Sequence, residues 1–211
     1  MNTKTKNNTD VSLDNLSQDR ELFMKVSEGQ YAALEVLFNK YYDPLCRFGL
    51  SYDQDIAIVE EKISDVFILL WNKRKELKKI KKPKSYIYVI AKNSLKKQIK
   101  IHRLNHGFDE DNSKYAPFSP SKEEEMIDQE QKEITTQLIQ SILKSIPPKS
   151  RRIFELSRID GLKYKEISEI VELSPRTIEN HIALAMKYIH KGLNELNQQE
   201  KNTSTKTKNH T

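Results

Sequence analysis

Cysteine occurs once in this chain, at Cys46, which excludes an intramolecular disulfide and any multi-cysteine zinc site. The apolar neighbours of Cys46 read it as a buried structural thiol. Glycine is scarce as well, with 5 residues in 211. There is no glycine-rich phosphate loop, and few runs alternate as β-branched strands do, so the chain reads as all-α. No apolar run approaches the roughly 20 residues of a membrane-crossing helix. The start, MNTKTKNNTDVSLDN, lacks the hydrophobic segment of a signal peptide. A soluble, cytoplasmic protein is expected, without membrane insertion. Metal chemistry finds no footing, because His102 and His106 stand four apart at a helix end without a third ligand. No nucleophile is paired with a base. The expectation is therefore no enzyme, no catalytic residue, no cofactor, no metal and no small-molecule substrate.

What the chain does have is charge, unevenly placed. Lys and Arg number 36 against 30 Asp and Glu, for a net charge of +6 and a pI near 9.1. That balance suits a nucleic-acid partner, although a Lys-, Asn- and Ile-rich composition also contributes to it. From Lys73 to Arg103 there are thirteen basic residues and one acid, Glu76; from Asp109 to Glu133 there are nine acids and three bases. From Asn105 to Lys122, Gly, Pro and Ser interrupt any helical period, as in a linker.

The expected organisation is two small helical domains joined by a flexible linker. Residues 1–16 form a disordered tail, 17–104 the first domain, 105–123 the linker, 124–196 the second domain and 197–211 another tail. In the first domain, Leu34, Leu37, Phe38, Tyr41 and Leu45 mark one helix face, with Pro44 set to kink or restart the helix. Ile56, Val59, Ile63, Val66, Phe67, Leu70 and Trp71 form the buried stripe of a helix over 55–72, whose opposite face carries Glu60, Glu61 and Asp65. A third helix over 83–103 turns Ile87, Tyr88, Ala91, Leu95 and Ile99 inward. In the second domain a lead helix carries Ile134, Leu138, Ile142 and Ile146. Pro147-Pro148 opens the next helix, which ends near Gly161.

The stretch YKEISEIVELSPRTIENHIALAMKYI, 164–189, then places Ile167, Ile170 and Val171 on one amphipathic helix and Ile178, Ile182, Ala185 and Ile189 on another. Ser174 suits an N-cap and Pro175 the first helical position, where a missing N–H costs nothing. This is a helix-turn-helix, whose second helix would enter a DNA major groove with its N-terminal residues at base edges. Glu172 stands where such turns usually carry Gly, which is tolerable if its φ stays negative. The basic stretch 73–103 adds Trp71, Tyr86 and Tyr88, residue types that stack on unpaired bases.

These residues carry a resemblance. EGQYAALEVLFNKYYDPLCRFG, EEKISDVFILLWNKRKEL and KPKSYIYVIAKNSLKKQIK resemble the promoter-melting domain (region 2) of bacterial sigma factors. IPPKSRRIFELSRIDGLKYKEISEIVELSPRTIENHIALAMKYI is similar to their −35 recognition domain (region 4). Two such domains alone are the layout of the extracytoplasmic-function (ECF) group. The resemblance implies that Glu60, Glu61, Ser64 and Asp65 dock on the β′ clamp helices of core RNA polymerase, with the second domain on the β flap. It implies that the loop from Lys75 to Lys84 captures a flipped −10 base, that Asn93 lies on the −10 reading helix, and that Lys92, Lys96, Lys97 and Lys100 follow the backbone. Trp71, Lys84 and Tyr86 complete the −10 set. Ser174, Arg176, Thr177, Glu179, Asn180 and His181 form the −35 set. The implied function is an alternative sigma factor that binds core polymerase, recognises promoter DNA and promotes melting, under an anti-sigma factor. Two readings compete. One is a response-regulator-type activator, which would need an upstream α/β receiver; the other is a basic helical RNA-binding or adaptor protein.

Overall fold

A computed structural model describes residues 6–106 and 138–208, with side chains described over 15–97, 138–196 and at 198. The acidic run 109–133, most of the expected linker, Ile134, the ends 1–5 and 209–211, and the side chains of Ile99 and Lys100 lie outside the described residues. The described residues contain helices and no strand, arranged as two helical domains.

The first domain comprises α1 (Lys6–Ser27), α2 (Tyr31–Leu50), α3 (Ile56–Asn72), the short α4 (Arg74–Leu77) and α5 (Pro83–His106). α3 starts where Asp55 accepts hydrogen bonds from the N–H groups of Ala57 and Ile58, at 2.9 and 3.4 Å, satisfying donors that a helix start leaves orphaned. Its stripe of Val59, Ile63, Val66, Phe67 and Leu70 is buried against α2 and α5. Ile56 and Trp71, the expected ends of that stripe, are 48% exposed and half-buried respectively. α5 buries Ile87, Tyr88, Ala91 and Leu95, in keeping with the sequence period.

Pro44 does not interrupt α2, which runs unbroken through it. Proline removes one intrahelical hydrogen bond, but Leu45, Cys46, Phe48, Gly49 and Leu50 beyond it are all buried, and that packing holds the last turns in helical form. Cys46 is buried, and burial pushes its thiol up to about 12. Helix also covers much of the expected tails, since α1 begins at Lys6 and the last helix reaches Lys208. A helix already nucleated on the core extends outward at little cost per residue.

The second domain contains a helix over 138–145 (α6), α7 (Pro148–Arg158), α8 (Tyr164–Val171) and α9 (Pro175–Lys208). Ile153, Leu156, Leu162, Ile167, Ile170, Ile178 and Ile182 form its centre, and α8 lies against α5 of the first domain. Most of the buried apolar residues of both domains thereby join into one cluster. Gly161, as expected, ends the α7 region with φ +66.

Close approach of α2 and α3 depends on Gly49, where an added Cβ would stand 2.6 Å from Cγ1 of Val59. Gly49→Ala should cost about 1–3 kcal/mol by overpacking, read as a lowered midpoint in urea unfolding; an unchanged midpoint would mean the helices separate freely.

Candidate nucleic-acid and protein-docking surfaces

Ser174 caps α9 as its sequence position suggests: the N–H of Thr177 donates to its Oγ at 3.1 Å, and Pro175 occupies the first helical position. Arg176, Glu179 and Asn180 are exposed on the first turns of α9, free of the core face formed by Ile178 and Ile182. Thr177 is half-buried, its Oγ1 2.8 Å from Oγ of Ser174. His181 departs from the set. Its Nδ1 lies 2.9 Å from Oγ of the buried Ser150 on α7, so the ring is directed inward and fixes α9 on α7.

On α3, Glu61 and Asp65 are exposed and share Lys62, whose Nζ is 2.6 Å from Glu61 and 3.5 Å from Asp65. Glu60 is half-buried, and Ser64 spends its hydroxyl on the Glu60 carbonyl at 2.8 Å. Sequence reasoning missed Ile68, one turn beyond Asp65 on the same face and 59% exposed. Its signal was an apolar residue off the buried stripe.

The basic set divides. Trp71 is half-buried, with Tyr31 edge-on at 5.6 Å and the Arg74 guanidinium 4.9 Å from its ring centroid. Tyr86 is half-buried and edge-on to Phe23 at 6.2 Å, and Tyr88 is fully buried. Asn93 and Lys97 are exposed on α5. Lys84, Lys92 and Lys96 face the second domain instead. Lys84 donates to the carbonyl of Asp160, and burial lowers its pKa. Lys92, with 3% of its side chain accessible, donates to Oε1 of Glu172 at 2.8 Å, and Lys96 to Oε2 at 2.9 Å.

That seam continues on both sides. Lys82 pairs with Glu169 at 3.0 Å, and the Ser85 hydroxyl donates to Glu166 at 3.2 Å. Arg47 pairs at 2.7 Å with Asp160, whose side chain is 4% accessible. Arg152 donates to the Ser51 carbonyl and lies 4.0 Å from the Tyr52 ring centroid. In the ion pairs of the seam the first domain supplies the cations and the second the carboxylates, while Arg152 crosses in the opposite sense onto a carbonyl and a ring. Nothing in the sequence had singled out Glu166 and Glu169; their spacing with Glu172 puts three acids along one edge of the first helix of the pair.

Glu172 also corrects an expectation. Its backbone is left-handed, with φ 59 and ψ 42. This costs a non-glycine residue about 1–2 kcal/mol. The turn needs that conformation to redirect the chain into α9, and Ser168 supports it by donating to the Leu173 carbonyl. The hydrogen bonds and positive charges of Lys92 and Lys96 hold the Glu172 carboxyl down at about 2. Because that value lies below the unfolded one of about 4.3, the pairing is complete above the unfolded value and is lost as pH falls toward 2. In a carbon-detected NMR titration, Glu172 should titrate near 2, and Lys92→Ala should move it toward the ordinary range. A midpoint already near 4.3 in the native protein would mean the pairs do not form in solution.

Comparison with known proteins finds the same succession of two domains along the chain. A sequence profile of sigma-70 region 2 matches residues 37–104, and one of sigma-70 region 4 matches residues 136–189. The RNA polymerase sigma factor SigZ of Bacillus subtilis (strain 168) is 29% identical over 145 residues, which is 67% of this chain and 76% of that protein. Among solved structures, CnrH in complex with the cytosolic domain of CnrY superposes with a TM-score of 0.52 and 17% identity, over 84% of this chain and 98% of that one. At that identity the likeness concerns the fold.

Proposed function

The chain belongs to the sigma-70 family as an ECF-type sigma factor, and from that premise we propose which of its surfaces perform each step of initiation. The family assignment makes it an alternative sigma factor, binding core RNA polymerase and promoter DNA. The observation that carries this is the succession of region 2 and region 4 along one chain. Region 2 occupies the place where a response regulator would need an α/β receiver, and helices stand there.

Glu61 and Asp65, extended by Ile68, form the face that docks on the β′ clamp helices, and the second domain takes the β flap. An apolar residue beside two exposed acids suits a protein partner, with burial supplying affinity and charge supplying register. Glu60 and Ser64 stabilise that face rather than extend it, since Ser64 is bonded within its own helix. Arg176, Glu179 and Asn180 read the −35 element from the exposed start of α9. Thr177 and Ser174 shape the helix start, and His181 positions the helix through Ser150. On the −10 side, Asn93 and Lys97 stand open. Lys84, Lys92 and Lys96 join them once the second domain moves away, Lys100 follows along the backbone, and Trp71 and Tyr86 flank the opened strand.

The protein acts in the cytoplasm and catalyses no reaction of its own. An anti-sigma factor restrains it; support comes from the complex of the similarly folded CnrH with the cytosolic domain of CnrY.

Two outcomes are expected. Glu61→Lys combined with Asp65→Lys should weaken binding to core polymerase in a fluorescence titration, and undiminished affinity would remove this face from the interface. Arg176→Ala should cost about 1–3 kcal/mol on −35 duplex DNA, with relaxed preference at one base pair, if Arg176 makes a bidentate base contact. A uniform loss over all −35 sequences would assign it to phosphate instead.

A further inference from the structure

We infer that the turn of the helix-turn-helix is an internal stand-in for the −10 DNA backbone, with Glu172 occupying the site that Lys92 and Lys96 would offer a phosphate. The inference rests on the function proposed above, because it takes α5 to be the −10 reading helix.

The geometry is that of a bridging anion. Lys92 and Lys96 are four residues apart on α5, which puts both ammonium groups on one face. One carboxylate joins them, each oxygen to one lysine, at 2.8 and 2.9 Å. The two non-bridging oxygens of a phosphodiester offer the same pair of acceptors with the same sign of charge. Lys92 is buried beneath the carboxylate, with 3% of its side chain accessible, so the site cannot hold Glu172 and a phosphate together. Glu166, Glu169 and Asp160 engage Ser85, Lys82 and Arg47 along the same seam, so displacing Glu172 means moving the whole second domain. The carboxyl of Glu172 stays ionised far below neutral pH, so this anion is always present.

Two other surfaces stay open while this one is closed. Arg176, Glu179 and Asn180 are exposed, and so are Glu61, Asp65 and Ile68. Closure therefore withholds selectively the part of the −10 face formed by Lys84, Lys92 and Lys96. An anion on the same chain competes at an effective concentration fixed by its tether rather than by dilution, which dilute single strands do not match. Opening then needs the additional binding energy of polymerase, which confines strand capture to the holoenzyme.

The test uses the full-length protein without polymerase. Glu172→Gln removes the charge at nearly constant shape, and Glu172→Gly does so while favouring the left-handed turn, which keeps the helix pair folded. Affinity for a fluorescein-labelled single-stranded 20-mer and the radius of gyration from small-angle scattering are measured in low salt. Both variants should show a larger radius of gyration and an affinity raised about three- to tenfold, in proportion to the fraction of open molecules released. An unchanged radius of gyration overturns the inference even if affinity rises, because one fewer negative charge near α5 then explains the gain. An expanded protein with unchanged affinity also overturns it. Neither result touches the sigma-factor reading, which stands or falls on polymerase-dependent initiation.

Discussion

A lysine ammonium cannot be withdrawn from water without an anion to meet it, and Lys92 on α5 is almost entirely withdrawn. Glu172 meets it, delivered by a turn that forces a left-handed backbone on a residue with a Cβ. The shared pair of contacts from Lys92 and Lys96 to Glu172 offsets both the conformational cost of the turn and the desolvation of the lysine. The relation between the two domains follows. With Glu172 seated on α5, α8 lies along the basic helix, Asp160 reaches Arg47, and most of the buried apolar residues of both domains become continuous.

This arrangement also separates three surfaces that would otherwise compete. The exposed start of α9, the acidic and apolar face of α3, and the basic face of α5 are the surfaces proposed above for duplex DNA, a protein and an opened strand. The second domain engages Lys84, Lys92 and Lys96 of α5 and leaves the others clear. Electrostatic complementarity across such a seam sets register and partner choice more than it adds affinity. That makes the seam suited to being opened and closed.

Much of the fold was legible in the sequence because its helices are amphipathic and capped by local chemistry. Asp55 before α3 and Ser174-Pro175 before α9 act through atoms within three residues, so spacing alone reveals them. That the helix does not restart at Pro44 depends on the burial of the turns after it, which is a tertiary matter. His181 shows the same limit at the site. Periodicity puts it at the start of a recognition helix, whereas its ring turns to Ser150, thirty-one residues earlier in the chain. Ile68 lay off the buried stripe and so carried no weight until its exposure beside Asp65 was visible.

By itself the sequence determined what short-range physics can encode: all-helical elements, their buried faces, a helix-turn-helix with its cap, and a basic helix followed by an acidic run. Resemblance then extended those elements to regions 2 and 4 of a sigma factor. Only the tertiary structure decided that Glu172 adopts a positive φ, that it closes on two lysines some eighty residues away, and that Lys92 is thereby covered. The reason is range. Caps and amphipathic faces are fixed by neighbours within a turn or two. A charge brought from another domain finds its partner only when both domains have folded and met.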